Sequence, residues 1–181
     1  DKPVVVLSNN DGCVISRSEE AKLVGVPMGA PEFQYRDLLK NNNVKVFSSN
    51  YALYGDLSER VMTILKDFTP DVAVYSIDEA FLSFNHFAID DYEAYGLKIK
   101  QRIQKWVGIP VCVGFAETKA LSKIANVIAK KFKDRTGGVY VIDTDEKRIK
   151  ALKWIKIEDV WGIGRRLSKK MKSKGIQTAY D

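Results

Sequence analysis

Histidine is nearly absent from this sequence. The one copy, His86, leaves no basis for a histidine-rich metal centre or a Ser-His triad. Cysteine is almost as scarce. Cys13 and Cys112 lie in apolar stretches without metal-ligand spacing, and they read as reduced core residues rather than a disulfide, which suits a cytoplasmic protein. No apolar run approaches the roughly 20 residues a membrane helix needs, and nothing has the pattern of a signal peptide. No Walker A sequence is present, which argues against a P-loop nucleotide enzyme. Internal repeats and low-complexity segments are also missing. What is left is an ordinary globular composition, 45% hydrophobic and 29% charged over 181 residues. That length holds one good core, or one core plus a small satellite.

Charge is the first positive signal. The chain carries 29 Lys and Arg against 23 Asp and Glu, a net charge of +6, which favours a polyanionic partner. The basic residues crowd between Lys119 and Lys174, in AKKFKDR, EKRIKALKWIK and GRRLSKKMKSK. Any one such run reads as a solvated helix face. Several within one third of a chain point to a nucleic-acid surface.

The local signals predict an α+β fold with helices on one face of a mostly antiparallel sheet. PVVVLS reads as a strand, Asn9-Asn10-Asp11-Gly12 as a turn, and CVISRS as the returning strand. Ser18 is placed to cap a short helix that Gly25 stops. Helices are expected over 32–40 and 51–68, separated by the strand VKVFSS. Further on, DYEAYGLKIKQRIQKWVG reads as helix, PVCVGFAE as strand, 120–132 as helix and GGVYVID as strand.

Between residues 75 and 84 stands YSIDEAFLSF. Its apolar residues read as a strand, yet Asp78 and Glu79 sit side by side in the middle. Neighbouring side chains on a strand point to opposite faces, and an unpaired buried charge costs several kcal/mol. Two readings stay open: an edge strand with both acids in water, or a metal site at a strand or hairpin. Hard oxygen ligands suit the divalent ions of phosphoryl transfer. In the tail, Gly162-Ile163-Gly164 opens a basic helix beginning Arg165-Arg166 and ending near Gly175. Helix N-terminal amides bind anions, so the segment looks like one helix-hairpin-helix unit on a DNA phosphate. An ordinary glycine turn is the alternative.

SNNDGCVISRSEEAK, VFSSNYALYGDLSERV, YSIDEAFLSF and GFAETKALSKIANVIAKK together resemble the Y-family translesion DNA polymerases. The likeness is strongest to the UmuC-type branch, the catalytic subunit of DNA polymerase V and its plasmid relatives. It runs through the whole chain in order. It implies a palm with the Asp-Glu motif over 71–145, a first palm strand and fingers over 1–70, and the start of a helical thumb over 146–181. It also implies error-prone, magnesium-dependent, DNA-templated nucleotidyl transfer in the SOS response to DNA damage. Asp78 would bind two Mg2+ ions, and Glu79 would help to hold the one at the primer terminus. By position, Ser16, Lys22 and Lys130 would meet the nucleotide, while Lys123, Gly162, Gly164, Arg165 and Arg166 would meet DNA. Primed DNA and a deoxynucleoside triphosphate are the implied substrates. A UmuD-type dimer, a recombinase filament and the sliding clamp are the implied partners.

The sequence departs from that family pattern in places. Glu19 and Lys22 stand where the family often has Tyr and Arg, and Lys lacks the bidentate fork of Arg. The family's first strand, with another metal-binding Asp, and its little finger are both expected to lie outside this sequence. On that reading the chain is a fragment that is inactive alone, and Asp11 at its hairpin turn is structural. Two other functions remain in view. A nucleotide cyclase on a related sheet would gain nothing from the basic Gly-x-Gly tail, whereas a non-catalytic DNA-binding or partner-docking module would use it.

Overall fold

Val5 and Leu7 are buried while Val4 and Val6 are half-buried, the alternation of a strand with one face on a core. This strand, β1 (Val4–Leu7), belongs to a computed structural model that describes residues 2–181. The chain falls into two compact units, one ending at Leu57 and one running from Ser58 to Asp181.

In the first unit β1 turns back through Asn9–Gly12 into antiparallel β2 (Val14–Arg17). Asp11 takes φ 55° at the turn, and its carboxylate accepts a hydrogen bond from Ser48 Oγ at 3.0 Å. Helix α1 (Glu19–Leu23) starts at Ser18, whose hydroxyl accepts from the Ala21 amide. It ends in a Schellman arrangement: Gly25 sits at φ 89° and the Val26 amide reaches the Ala21 carbonyl. Helix α2 (Glu32–Asn41) leads to β3 (Lys45–Phe47), which pairs in parallel with β1 and gives the order β2-β1-β3. Val5, Leu7, Val14, Ala21, Val26 and Leu39 form the core of this unit. The unit boundary falls inside α3 (Tyr51–Lys66).

In the second unit β4 (Val72–Val74) and β5 (Ala80–Leu82) form an antiparallel hairpin. Helix α4 (Tyr92–Val107) is capped by Asp91 and ends at Gly108 with φ 80°. Next come β6 (Val113–Ala116), α5 (Lys119–Lys131), the single turn α6 (Lys133–Thr136) and β7 (Val139–Ile142). Strands β6 and β7 are parallel because α5 carries the chain back across them, as a parallel pair requires. Ile64, Leu65, Phe68, Ile99 and Ile103 form one core, with Val72, Leu82, Phe84 and Phe115 packed against it. Ile124, Ala125, Ile128, Ile142 and Ala151 form a second. Two helices complete the unit, α7 (Asp145–Trp154) and α8 (Arg165–Lys172).

The α+β class holds. The described strands form three small sheets, in which two pairings are antiparallel and two parallel. One expectation is corrected. YSIDEAFLSF is not a single strand, since only Ala80–Leu82 pairs and the five residues before it form the tip of a hairpin. The Tyr75 and Ser76 amides both donate to the Glu79 carbonyl, at 2.9 and 3.1 Å, and this closes the tip. The two acids therefore never meet the alternation rule of a strand. Among the described residues no helix is long and apolar enough to cross a membrane.

Candidate active site

The hairpin between β4 and β5 displays both acids to solvent. Asp78 Oδ1 accepts from Ser76 Oγ at 2.7 Å, a local bond that orients the carboxylate without burying it. Glu79 has a different partner. Its Oε2 lies 2.8 Å from Nζ of Lys123, in the second turn of α5. Thr118 positions that helix by accepting from the Leu121 amide at 3.2 Å. Gly114 of β6 lets the helix come close, because a Cβ there would meet the α5 backbone at Asn126, Ser122 and Ala125.

An aromatic cluster surrounds the Lys123 ammonium. It stands 4.8 Å from the centre of the Tyr75 ring and 5.5 Å from Trp161. Tyr75 and Trp161 meet edge to face at 5.4 Å, and Trp161 Nε1–H donates to the Tyr75 hydroxyl at 3.0 Å. Phe81 closes the group, 5.8 Å from Tyr75 and 5.6 Å from Trp161, with Lys119 5.2 Å above its ring. Lys123 thus combines one ion pair with two ring contacts, each of which is worth about 0.5–1 kcal/mol at a surface.

Lys119, Lys123 and Lys130 fall within about 40° of one another on the wheel of α5 and span about 16 Å of its length. Ile124, Ala125, Ile128 and Ala129 are buried on the opposite side, so the lysines form an outward row. In the tail Gly162 adopts φ 89° and Gly164 is the N-cap of α8, with no side chain capping the amides that follow. Arg165 and Arg166 are exposed in its first turn. Lys172 in its last turn pairs with Glu158 at 2.7 Å, and this hydrogen bond is the main reason the Glu158 carboxyl is held below its ordinary range.

In the first unit Ser16 is exposed on β2, and Lys22 is exposed on α1, where it pairs with Glu19. The two residues that replace the family's Tyr and Arg are thus partners of each other. Of the site residues expected from sequence, the second unit brings Glu79 and Lys123 into direct contact and sets Lys130 on the same row. Sequence reading missed Tyr75, Phe81, Trp161 and Lys119. Their only signal was an aromatic on each side of the acid pair and a Trp directly before Gly162.

Two adjacent, exposed carboxylates are the hard oxygen donors that Mg2+ or Mn2+ prefers, and their chemistry fits part of such a site. Among the described residues no group of three or more His, Cys, Asp or Glu gathers to complete it.

Comparison with known proteins settles the family. A family model described as IMS, impB/mucB/samB family, matches residues 1–127. The chain belongs to the impB/mucB/samB family. It is 46% identical to the protein UmuC of Salmonella typhimurium over 181 residues, covering 99% of this chain and 43% of UmuC. A crystal structure of DinB from Sulfolobus solfataricus superposes with a TM-score of 0.80 at 30% identity, over 98% of this chain and 51% of DinB. An insertion ternary complex of Dbh DNA polymerase gives 0.79 at 29% identity, over 98% and 52%. This family member therefore spans about half the length of the proteins it matches or less, and its fold is that of these polymerases.

Proposed function

We propose that the protein is a Y-family, UmuC-type DNA polymerase that performs magnesium-dependent, error-prone nucleotidyl transfer across damaged template. In that reading residues 1–70 supply the first palm strand and fingers, 71–145 the palm core, and 146–181 the start of the thumb. The observation that carries it is the pair of exposed carboxylates at one hairpin tip, beside a row of lysines, in a chain similar to UmuC and to a polymerase solved as an insertion ternary complex. Asp78 and Glu79 would hold the divalent ions, which when bound supply charge neutralisation and Lewis acidity at the reacting phosphate. Ser16, Lys22 and Lys130 each keep the nucleotide-contacting role that the family resemblance implies for that residue. Lys123, Arg165 and Arg166 would pair with DNA phosphates, the uncapped amides after Gly164 would donate to them, and the turn at Gly162 would let the backbone come close. Cytoplasmic location, the SOS setting and the UmuD-type dimer, recombinase filament and sliding clamp as partners belong to the same proposal. They rest on the similarity to UmuC.

The test is primer extension with magnesium by the complete polypeptide, wild type against Asp78→Ala. Each tenfold in rate is about 1.4 kcal/mol, and loss of a metal's charge stabilisation removes several kcal/mol. Asp78→Ala is expected to lower synthesis by at least about a hundredfold. Synthesis by Asp78→Ala at the wild-type rate would remove the active-site assignment, and no synthesis even by the wild-type polypeptide would leave a non-catalytic DNA-binding module.

A further inference from the structure

Glu79 is already engaged in this structure, and by a group that is itself held. Lys123 is the less exposed partner, its side chain 22% accessible against 45% for Glu79. The ring faces of Tyr75 and Trp161 lie beside its ammonium, and the hydrogen bond between those rings joins residues 86 positions apart. A lysine that served only to meet a phosphate would gain nothing from this confinement.

Resting on the reading of Asp78 and Glu79 as cation ligands, we infer that Lys123 is the resident counter-ion of the carboxylate hairpin. It neutralises Glu79 until a divalent cation displaces it, and the Tyr75–Trp161 clamp sets how readily it leaves. Lys123 and Trp161 are positioning residues in this scheme. An ammonium and a divalent ion compete for the same Glu79 oxygens, so each weakens the other by simple charge repulsion. Trp161 stands directly before Gly162, so the clamp is built partly from the tail that carries Arg165 and Arg166.

Mn2+ affinity of the 181-residue chain tests this directly, measured from the free-ion electron paramagnetic resonance signal. Circular dichroism checks that each variant is folded. Lys123→Met keeps the length of the side chain and removes the charge, and it is expected to tighten Mn2+ binding about three- to tenfold. Lys123→Arg keeps the charge and the ring contacts and is expected to restore the wild-type value. Trp161→Phe removes the bond to Tyr75 and is expected to tighten binding about two- to threefold. Asp78→Asn should weaken binding in every background. An affinity in Lys123→Met equal to or weaker than wild type, with Asp78→Asn still weakening it, overturns the counter-ion role and leaves the cation site standing. If Asp78→Asn has no effect even in the Lys123→Met background, the ion binds elsewhere, and the counter-ion role and the cation site both fall.

Discussion

Replacing Gly114 by alanine adds one methyl group, and the structure says where that group must go. The new Cβ would press on the backbone of α5, with Ala125 C at 2.8 Å and the Asn126 amide and Ser122 carbonyl nearer still. Comfortable carbon contacts begin at about 3.5 Å. Backbone atoms inside a helix cannot swing aside as a side-chain end can, so α5 must retreat by about 1 Å or β6 must bend. Overpacking of this kind costs about 1–3 kcal/mol, and contact with backbone puts it at the upper end. Gly55 makes the contrast. It lies inside α3, and beyond its own helix backbone no heavy atom comes within 4 Å of where a Cβ would stand. There the same methyl only restricts the unfolded chain and should stabilise by about 0.5–1 kcal/mol. Urea denaturation followed by circular dichroism reads both. With a slope of about 2 kcal/mol per molar, Gly114→Ala should lower the midpoint by about 1 M or more, and Gly55→Ala should raise it slightly. Because α5 carries Lys123, the first variant should also loosen the pair with Glu79. A Gly114→Ala midpoint within about 0.2 M of wild type would mean that β6 and α5 do not press together as described.

Two further outcomes follow from the tail. Changing Arg165 and Arg166 to Ala should flatten the salt dependence of binding to primed duplex DNA by about one to two units of slope, about one for each phosphate that is no longer neutralised; an unchanged slope removes the phosphate-gripping role. The Glu158 carboxyl, held below its ordinary value of 4.5 by Lys172, loses its proton more readily folded than unfolded. Its stabilisation is therefore complete above that value and drains as the pH falls below it. The difference in Tm between wild type and Glu158→Gln should be present at about pH 6 and shrink as the pH falls below 4.5, and a difference that grows on acidification would contradict the pairing.

Most of the fold was legible because its boundaries are local chemistry. Ser18 and Thr118 are hydroxyl caps bonded to the amide three residues on, and Gly25 and Gly108 supply the left-handed backbone that ends their helices. None of these needs information from a distant part of the chain. EKRIKALKWIK reads from sequence as no more than a basic run or a solvated helix face because helix α7 buries little; Ala151 is its one fully enclosed residue, so the segment shows charge and hardly any periodicity. Its signal was the Thr144 cap, followed by Asp145 and Glu146 in the first turn. The parallel pairing of β6 with β7 was equally hidden, since strand-helix-strand order does not by itself say which strands will pair.

The acidic segment reads first as a strand, with a hairpin left open, for a different reason. Tyr75 and Ile77 are apolar, and an apolar run with β-branched and aromatic residues scores as strand wherever it stands. In the structure both are about half exposed, because Tyr75 is there to meet Trp161 and Lys123 and not a core beneath it. Those partners come from 48 and 86 positions further along, a distance no local pattern reports. The two carboxylates looked anomalous only while they were assigned to a strand. At a hairpin tip they cost little to display, since one is oriented by Ser76 and the other is neutralised by Lys123. On the proposed reading, the residues that make the acid pair tolerable would also set when it is free to bind a cation. Sequence alone could therefore single out the two acids, and not the distant lysine that holds one of them.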